Sequence, residues 1–162
     1  MNYIGIDNGV SGSIAVLGED GTCNFYSHTP VIKCLNYTKA KAWIHRINHD
    51  ALGRILEPFS EHECRAAIER PMVNPGRFKA TVSALRALES TQLILERLRI
   101  PYQFVDSKGW QKALLPSGLA KDELKTASDE VCKRKFPHIA IKHPGDGDSL
   151  LIAEFLRTQN LR

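Results

Sequence analysis

Short apolar runs separated by turn residues open the chain, and longer helical periods follow. Tyr3-Ile4-Gly5-Ile6 reads as a strand ending at Asp7, after which Asn8-Gly9-Val10-Ser11-Gly12 is turn chemistry. Ile14 to Leu17 reads as a second strand and Thr22 to Tyr26 as a third, with Glu19-Asp20-Gly21 as the tight turn between them. The opening is therefore an antiparallel three-stranded meander, unlike the β-α-β start of a dinucleotide-binding domain. Residues 30–60 carry a weaker pattern, with a helix expected near Lys39–Ile47. Ala66 to Glu69 reads as a buried strand ending on a carboxylate, and Pro71 and Pro75 forbid an immediate helix.

From Phe78 to Leu98 the period becomes helical. One stripe is Ala80, Ala84, Ala87, Thr91, Ile94 and Leu98. A second is Thr81, Leu85, Leu88 and Leu95, interrupted by Gln92. Such a helix can pack on two surfaces, one the sheet and the other either a further helix of the chain or a second copy of it. Tyr102 to Val105 reads as a strand, Ser107 to Leu115 and Lys121 to Lys135 as helices, and Asp148 to Arg157 as a final helix apolar around most of its circumference. The order βββ-αβ-αβ-α-α predicts an α/β fold with a mixed five-stranded sheet and helices on both faces, in one domain over residues 1–162.

Composition narrows the setting. There is no apolar run of ~18 residues for a membrane span and no signal-like start, so a cytoplasmic protein is expected. Cys23, Cys34, Cys64 and Cys132 form no CxxC pair, which argues against zinc and disulfide frameworks. Residues 65–142 hold 15 Lys and Arg against 8 Asp and Glu, and the remainder 7 against 10. A basic middle with acidic ends suits a polyanion whose phosphates meet a separate carboxylate cluster.

Three acidic positions stand where an element ends or begins: Asp7, Glu69, and the pair Asp146 and Asp148. Each alone is an ordinary turn former. Converging, they would bind hard divalent cations of the kind that promote phosphodiester hydrolysis in pairs. No GxSxG, HExxH or GxxxxGK[ST] motif competes with them.

These segments together resemble a known family. IGIDNGVSGSIAVL resembles the first motif of RuvC-type Holliday-junction resolvases, within the RNase H-like nucleases. AAIERPMVNP resembles the second and GDGDSLLIAEFL the closing one, while VDSKGWQKALLP and GLAKDELK resemble the segments carrying basic residues. The likeness is nearest to the phage and chloroplast branches. It implies a homodimer, formed through the 78–98 helix, that nicks four-way DNA junctions symmetrically with Mg²⁺ or Mn²⁺, two ions per site. It implies no small-molecule cofactor and no membrane partner, and it places the protein in a bacterial or phage-infected cell, with an organelle form as the alternative. By match to the motifs, Asp7, Glu69 and Asp148 are the catalytic metal ligands, and Lys112 and Lys121 lie near the scissile phosphate. Lys108, Lys125, Arg77 and Lys79 are the further expected DNA contacts. Met72 is either a wedge against junction bases or a core-filling side chain.

The closing motif departs from the family pattern, which carries an acid three to five residues before the position of Asp148. Here those positions are His143, Pro144 and Gly145. Asp146 is favoured as the further ligand because a carboxylate suits a hard cation, with His143 as the alternative. Three other readings stand beside the resolvase: an actin-like kinase, for which one copy of the fold is too short; a junction-binding protein without catalysis; and a nuclease of the same fold acting on hybrids or other branched DNA.

Overall fold

The computed structural model describes residues 1–160. The opening meander is β1 (Asn2–Ile6), β2 (Ser13–Gly18) and β3 (Cys23–His28), each antiparallel to its neighbour. Two further strands follow later in the chain, after β4 (Val31–Leu35) and β5 (Trp43–Ile47). β6 (Cys64–Glu69) lies parallel to β1 on its other side, and β7 (Tyr102–Val105) parallel to β6. The sheet order is β3-β2-β1-β6-β7, the mixed five-stranded sheet that the pattern predicts. The central strands are covered on both faces, which explains why β1 and β2 read as continuous apolar runs.

Alternation along these strands divides the core. Ile4, Ile6, Ile14, Val16 and Ile68 face one cluster, closed by α1 (His49–Ser60) and α2 (Phe78–Arg97). Tyr3, Ala15, Leu17 and Ala67 face the other, closed by α3 (Ser107–Leu114), α4 (Glu123–Lys135) and α5 (Asp148–Asn160). α5 lies directly on β1. A Cβ at Gly5 would clash with the α5 backbone at Ser149 and Ala153, so glycine permits this close approach. The last helix also buries Glu154, whose carboxylate accepts from Lys135 at 2.8 Å and from Arg157 at 2.8 and 3.1 Å. Burial pushes this carboxyl up, but the hydrogen bonds from Arg157 and Lys135 outweigh it and leave its pKa below the ordinary value.

Residues 30–60 depart from expectation. Of the helix expected at Lys39–Ile47, residues 39–42 are turn and loop and Trp43–Ile47 is β5, paired antiparallel with β4 in a separate two-stranded ribbon. β-branched and aromatic residues pair across the ribbon, Val31 with Ile47 and Leu35 with Trp43, and they outweigh the helix-favouring Ala40 and Ala42 between them. α1 is a helix that the apolar pattern does not predict. Its signal is the Asn48 side chain accepting from the Ala51 amide at 3.1 Å, followed by Leu52 and Leu56 one turn apart in the core. Pro58 and Gly53 inside it obscure that pattern.

The two stripes of α2 also sort differently. Ala87, Thr91, Ile94 and Leu95 are buried, so the expected second stripe is split: Leu95 is in the core while Leu85 is exposed. The apolar face that remains outside is Phe78, Leu85 and Leu93, at helical spacing on the opposite side. Among the described residues, no helix is long and apolar enough to cross a membrane, and all four cysteines are free.

Candidate active site

Adjacent parallel strands that end together bring two of the acids side by side. Ile6 pairs with Ile68, so Asp7 and Glu69 follow at the same end of β1 and β6. Asp148 begins α5, which crosses β1 from that end. The turn after Asp7 is tight: the Asp7 amide donates to Ser13 at 3.0 Å, and a Cβ at Gly12 would strike the Asp7 carbonyl.

The three carboxyls feel one another. Asp7 is pushed up to about 8, first by burial and then by the charges of Glu69 and Asp148, with a hydrogen bond between the Asp7 and Glu69 carboxyls. Asp148 is raised to about 6, mainly by burial, with Glu69 and Asp129 adding to the rise while Ser128 and Lys125 oppose it. Neutral donors fix two of the three. The Trp110 indole N–H donates to Glu69 Oε1 at 3.2 Å, and the Ser128 hydroxyl donates to Asp148 Oδ1 at 2.7 Å. Trp110 is wholly buried in the core on the α5 side of the sheet, so the side chain that orients Glu69 is locked by packing.

Among the described residues, no three His, Cys, Asp or Glu side chains are drawn together tightly enough to hold a metal ion as they stand. The chemistry of the donor set nevertheless fits a hard cation. It is all oxygen, largely shielded from water and strongly electronegative, and Mg²⁺ takes only a few carboxylates before completing its shell with water and substrate phosphate. The burial and repulsion that raise Asp7 and Asp148 both penalise the charged carboxylates, a penalty that a divalent charge would relieve.

The loop before Asp148 is held from the sheet. The Asp146 carbonyl receives the Tyr26 hydroxyl at 2.8 Å and the Ser13 hydroxyl at 2.9 Å, and Ser13 also meets Ser149 at 2.8 Å. The Asp146 carboxylate accepts from the His143 amide at 2.9 Å and lies 3.8 Å from His28 Nε2. Glu69 and Asp129 raise Asp148, and Asp148 in turn raises Asp7. The Asp146 carboxylate is held by its own loop beside His28 and the His143 ring is exposed, so the geometry favours neither as the further ligand. The acid that sequence reasoning misses is Asp129 on α4, which accepts from the Gly145 amide at 3.2 Å. Its signal is its place in α4 one residue after Ser128, the partner of Asp148.

The expected basic residues spread around this site. Lys108, Lys112, Lys121 and Lys125 are all exposed, and Lys125 lowers the Asp148 pKa. Lys121 precedes α4 rather than opening it. Arg77 and Lys79 flank the start of α2, both exposed. Met72 is 74% exposed, which removes the core-filling alternative. Its loop is stapled to α2 by Thr81, whose hydroxyl donates to the Asn74 carbonyl and accepts from the Asn74 amide, both at 3.0 Å.

No protein-family model matches the chain, and no curated protein sequence is significantly similar to it. Solved structures do match. The chain is similar to T. thermophilus RuvC in complex with a Holliday junction substrate, with a TM-score of 0.66 at 14% identity over 99% of this chain and 96% of that one. A second match is a Thermus thermophilus RuvC structure, with a TM-score of 0.55 at 15% identity and the same coverage. The fold is the RuvC-type RNase H-like fold.

Proposed function

We propose that this chain is a metal-dependent endonuclease that resolves four-way DNA junctions as a homodimer. The observation that carries the reading is the convergence of Asp7, Glu69 and Asp148 at one end of the sheet, where burial and their mutual charge raise Asp7 to about 8. Burying three carboxyls beside one another without a cation is unfavourable, so the arrangement makes sense as a site for Mg²⁺ or Mn²⁺. Bound there, a pair of ions would supply an activated water and neutralise charge on the departing oxygen. The chain's own residues hold and orient: Trp110 aims Glu69, Ser128 aims Asp148, and the Ser13 and Tyr26 hydroxyls fix the loop that delivers Asp148. Lys125, within electrostatic reach of Asp148, is the best-placed cation to meet the phosphate, with Lys108, Lys112 and Lys121 extending the basic surface. Met72, on its braced exposed loop, is placed to enter the branch point.

Junction DNA as substrate is supported by the likeness to a RuvC solved with such a junction. Two opposed cuts need two sites about a two-fold axis, and the exposed face of Phe78, Leu85 and Leu93 on α2 is the surface we assign to the partner copy. Asp7→Asn, Glu69→Gln and Asp148→Asn should each abolish Mg²⁺-dependent cutting of a junction and leave junction binding intact in a gel-shift assay. Near wild-type cutting by any one of them removes that residue from the ligand set.

A further inference from the structure

The β4–β5 ribbon has no part in the hydrolysis described above. Among the described residues it pairs with no strand of the main sheet, and most of its side chains are exposed or half-buried. A lone two-stranded ribbon is marginal by itself, so its order here comes from its attachments. Asn48 N–H donates to Pro30 at its base, and Asn36 N–H to Ala42 near its tip, both at 2.9 Å. At the tip, the Asn36 side chain accepts from the Thr38 hydroxyl at 2.7 Å and the Thr38 amide at 3.2 Å, and Lys41 takes a left-handed conformation (φ 45°). This built turn presents Tyr37 at 87% exposure, and Trp43 nearby is 61% exposed.

Charge says what such a surface would meet. Residues 21–49 contain no Asp or Glu, yet hold Lys33, Lys39, Lys41 and Arg46. The cations and rings are interleaved: Lys33 Nζ stands 5.3 Å from the Trp43 ring centroid, and the Arg86 guanidinium of α2 stands 5.7 Å from that of Tyr37. Between the ribbon and α2 runs an open cleft of about 500 Å³, lined among others by Tyr37, Arg46, Ser83, Arg86 and Val10, with Glu89 as its single acid. Val10 lies three residues beyond Asp7, and Asn8 donates to the Ala84 carbonyl of α2 at 3.1 Å. The cleft is thus continuous with the loop that carries the first catalytic acid.

We propose that the β4–β5 ribbon and its cleft bind unpaired DNA strand adjoining the active site, with Tyr37 and Trp43 as stacking platforms and Lys33, Lys39, Lys41, Arg46 and Arg86 on the phosphates. Alternating cations and solvent-facing rings on an acid-free ribbon are the features that hold single strands without reading sequence. The proposal deepens the nuclease reading, since it rests on DNA being the substrate and names unpaired bases at the branch as a recognised feature.

The test uses the two tryptophans, because Trp43 is exposed and Trp110 wholly buried. Iodide should quench Trp43 emission in the free protein, and an oligo-dT strand or a four-way junction should protect it; Trp43→Phe assigns the signal. By anisotropy in Ca²⁺, Tyr37→Ala should weaken oligo-dT binding about tenfold while Tyr37→Phe retains it. Lys39→Ala with Lys41→Ala should flatten the salt dependence of that binding, by about 0.7 in the log–log slope for each phosphate no longer neutralised. Unchanged quenching with saturating DNA, in a protein that cuts junctions, overturns the ribbon proposal and leaves the nuclease standing. Protection by DNA in a protein that never cuts does the reverse. Protection that grows with protein concentration alone assigns the surface to a second copy and also overturns the proposal.

Discussion

Replacing Asp7 by Asn should make the metal-free protein more stable at neutral pH and remove most of its pH sensitivity. A carboxyl whose pKa is higher folded than unfolded holds its proton more tightly when folded. Its contribution to stability is therefore complete below about 3.8 and is lost as pH rises towards about 8. Raising a pKa by one corresponds to about 1.4 kcal/mol, so the window from about pH 4 to about pH 7 represents at most roughly 4 kcal/mol. Asp148, raised to about 6, adds loss of the same sign across the lower part of that window. At about 2–4 °C per kcal/mol for a chain of this size, the wild-type melting temperature in EDTA should fall by up to about 8–16 °C between about pH 5 and about pH 8. Asp7→Asn deletes the charge without changing side-chain volume, so its curve should be much flatter and lie above wild type at the alkaline end. Adding Mg²⁺ there should raise wild type and leave the variant nearly unmoved. Equal pH slopes for the two proteins in EDTA would refute the reasoning, because Asp7 would then hold its proton no more tightly in the folded protein than in the unfolded chain.

Three further outcomes follow from the packing and charge. Gly5→Ala forces a methyl against the α5 backbone and should cost about 1–3 kcal/mol, read in urea denaturation, while displacing Asp148 and lowering the cutting rate. Leu85→Asp combined with Leu93→Asp should leave the monomer folded by circular dichroism and yield an 18.1 kDa species by sedimentation where wild type sediments at twice that mass. Lys125→Ala should lower the single-turnover rate more than Lys112→Ala or Lys121→Ala, since Lys125 reaches the Asp148 charge; equal effects would return all three to general phosphate contact.

Much of this molecule is legible in its sequence where local and global preferences agree. The meander, the strand ending at Glu69, the long α2 and the final helix all carry clean periods bounded by Gly, Pro or Asn, and the structure places them there. The ribbon escapes such reading because its decisive contacts are cross-strand pairs eight to sixteen residues apart, which a helical window does not see. The fate of the α2 stripes depends on which helix face meets the sheet, and Leu85 and Leu95 look equivalent until that contact is known. At the site, the acids at strand and helix ends are visible as a pattern. Their supports are not: Trp110, Ser128, Ser13 and Tyr26 reach Glu69, Asp148 and the Asp146 carbonyl from 20 to 133 residues away. Asp129 is hidden for a related reason, as a helix-face acid whose partner at Gly145 lies on a loop beyond the end of its own helix.

The central claim is paired hydrolysis of a four-way junction by the Asp7–Glu69–Asp148 site, and one cleavage panel tests it most directly. An immobile junction, labelled in turn on each strand, would be incubated with the protein beside matched duplex, flap and RNA–DNA hybrid, in Mg²⁺ and in EDTA. Symmetric nicks are expected on two opposed strands of the junction, present in Mg²⁺, absent in EDTA and absent for Asp7→Asn. Cutting of the hybrid or flap in preference to the junction would contradict the substrate assignment, and junction binding without any cutting in Mg²⁺ or Mn²⁺ would contradict the enzyme itself.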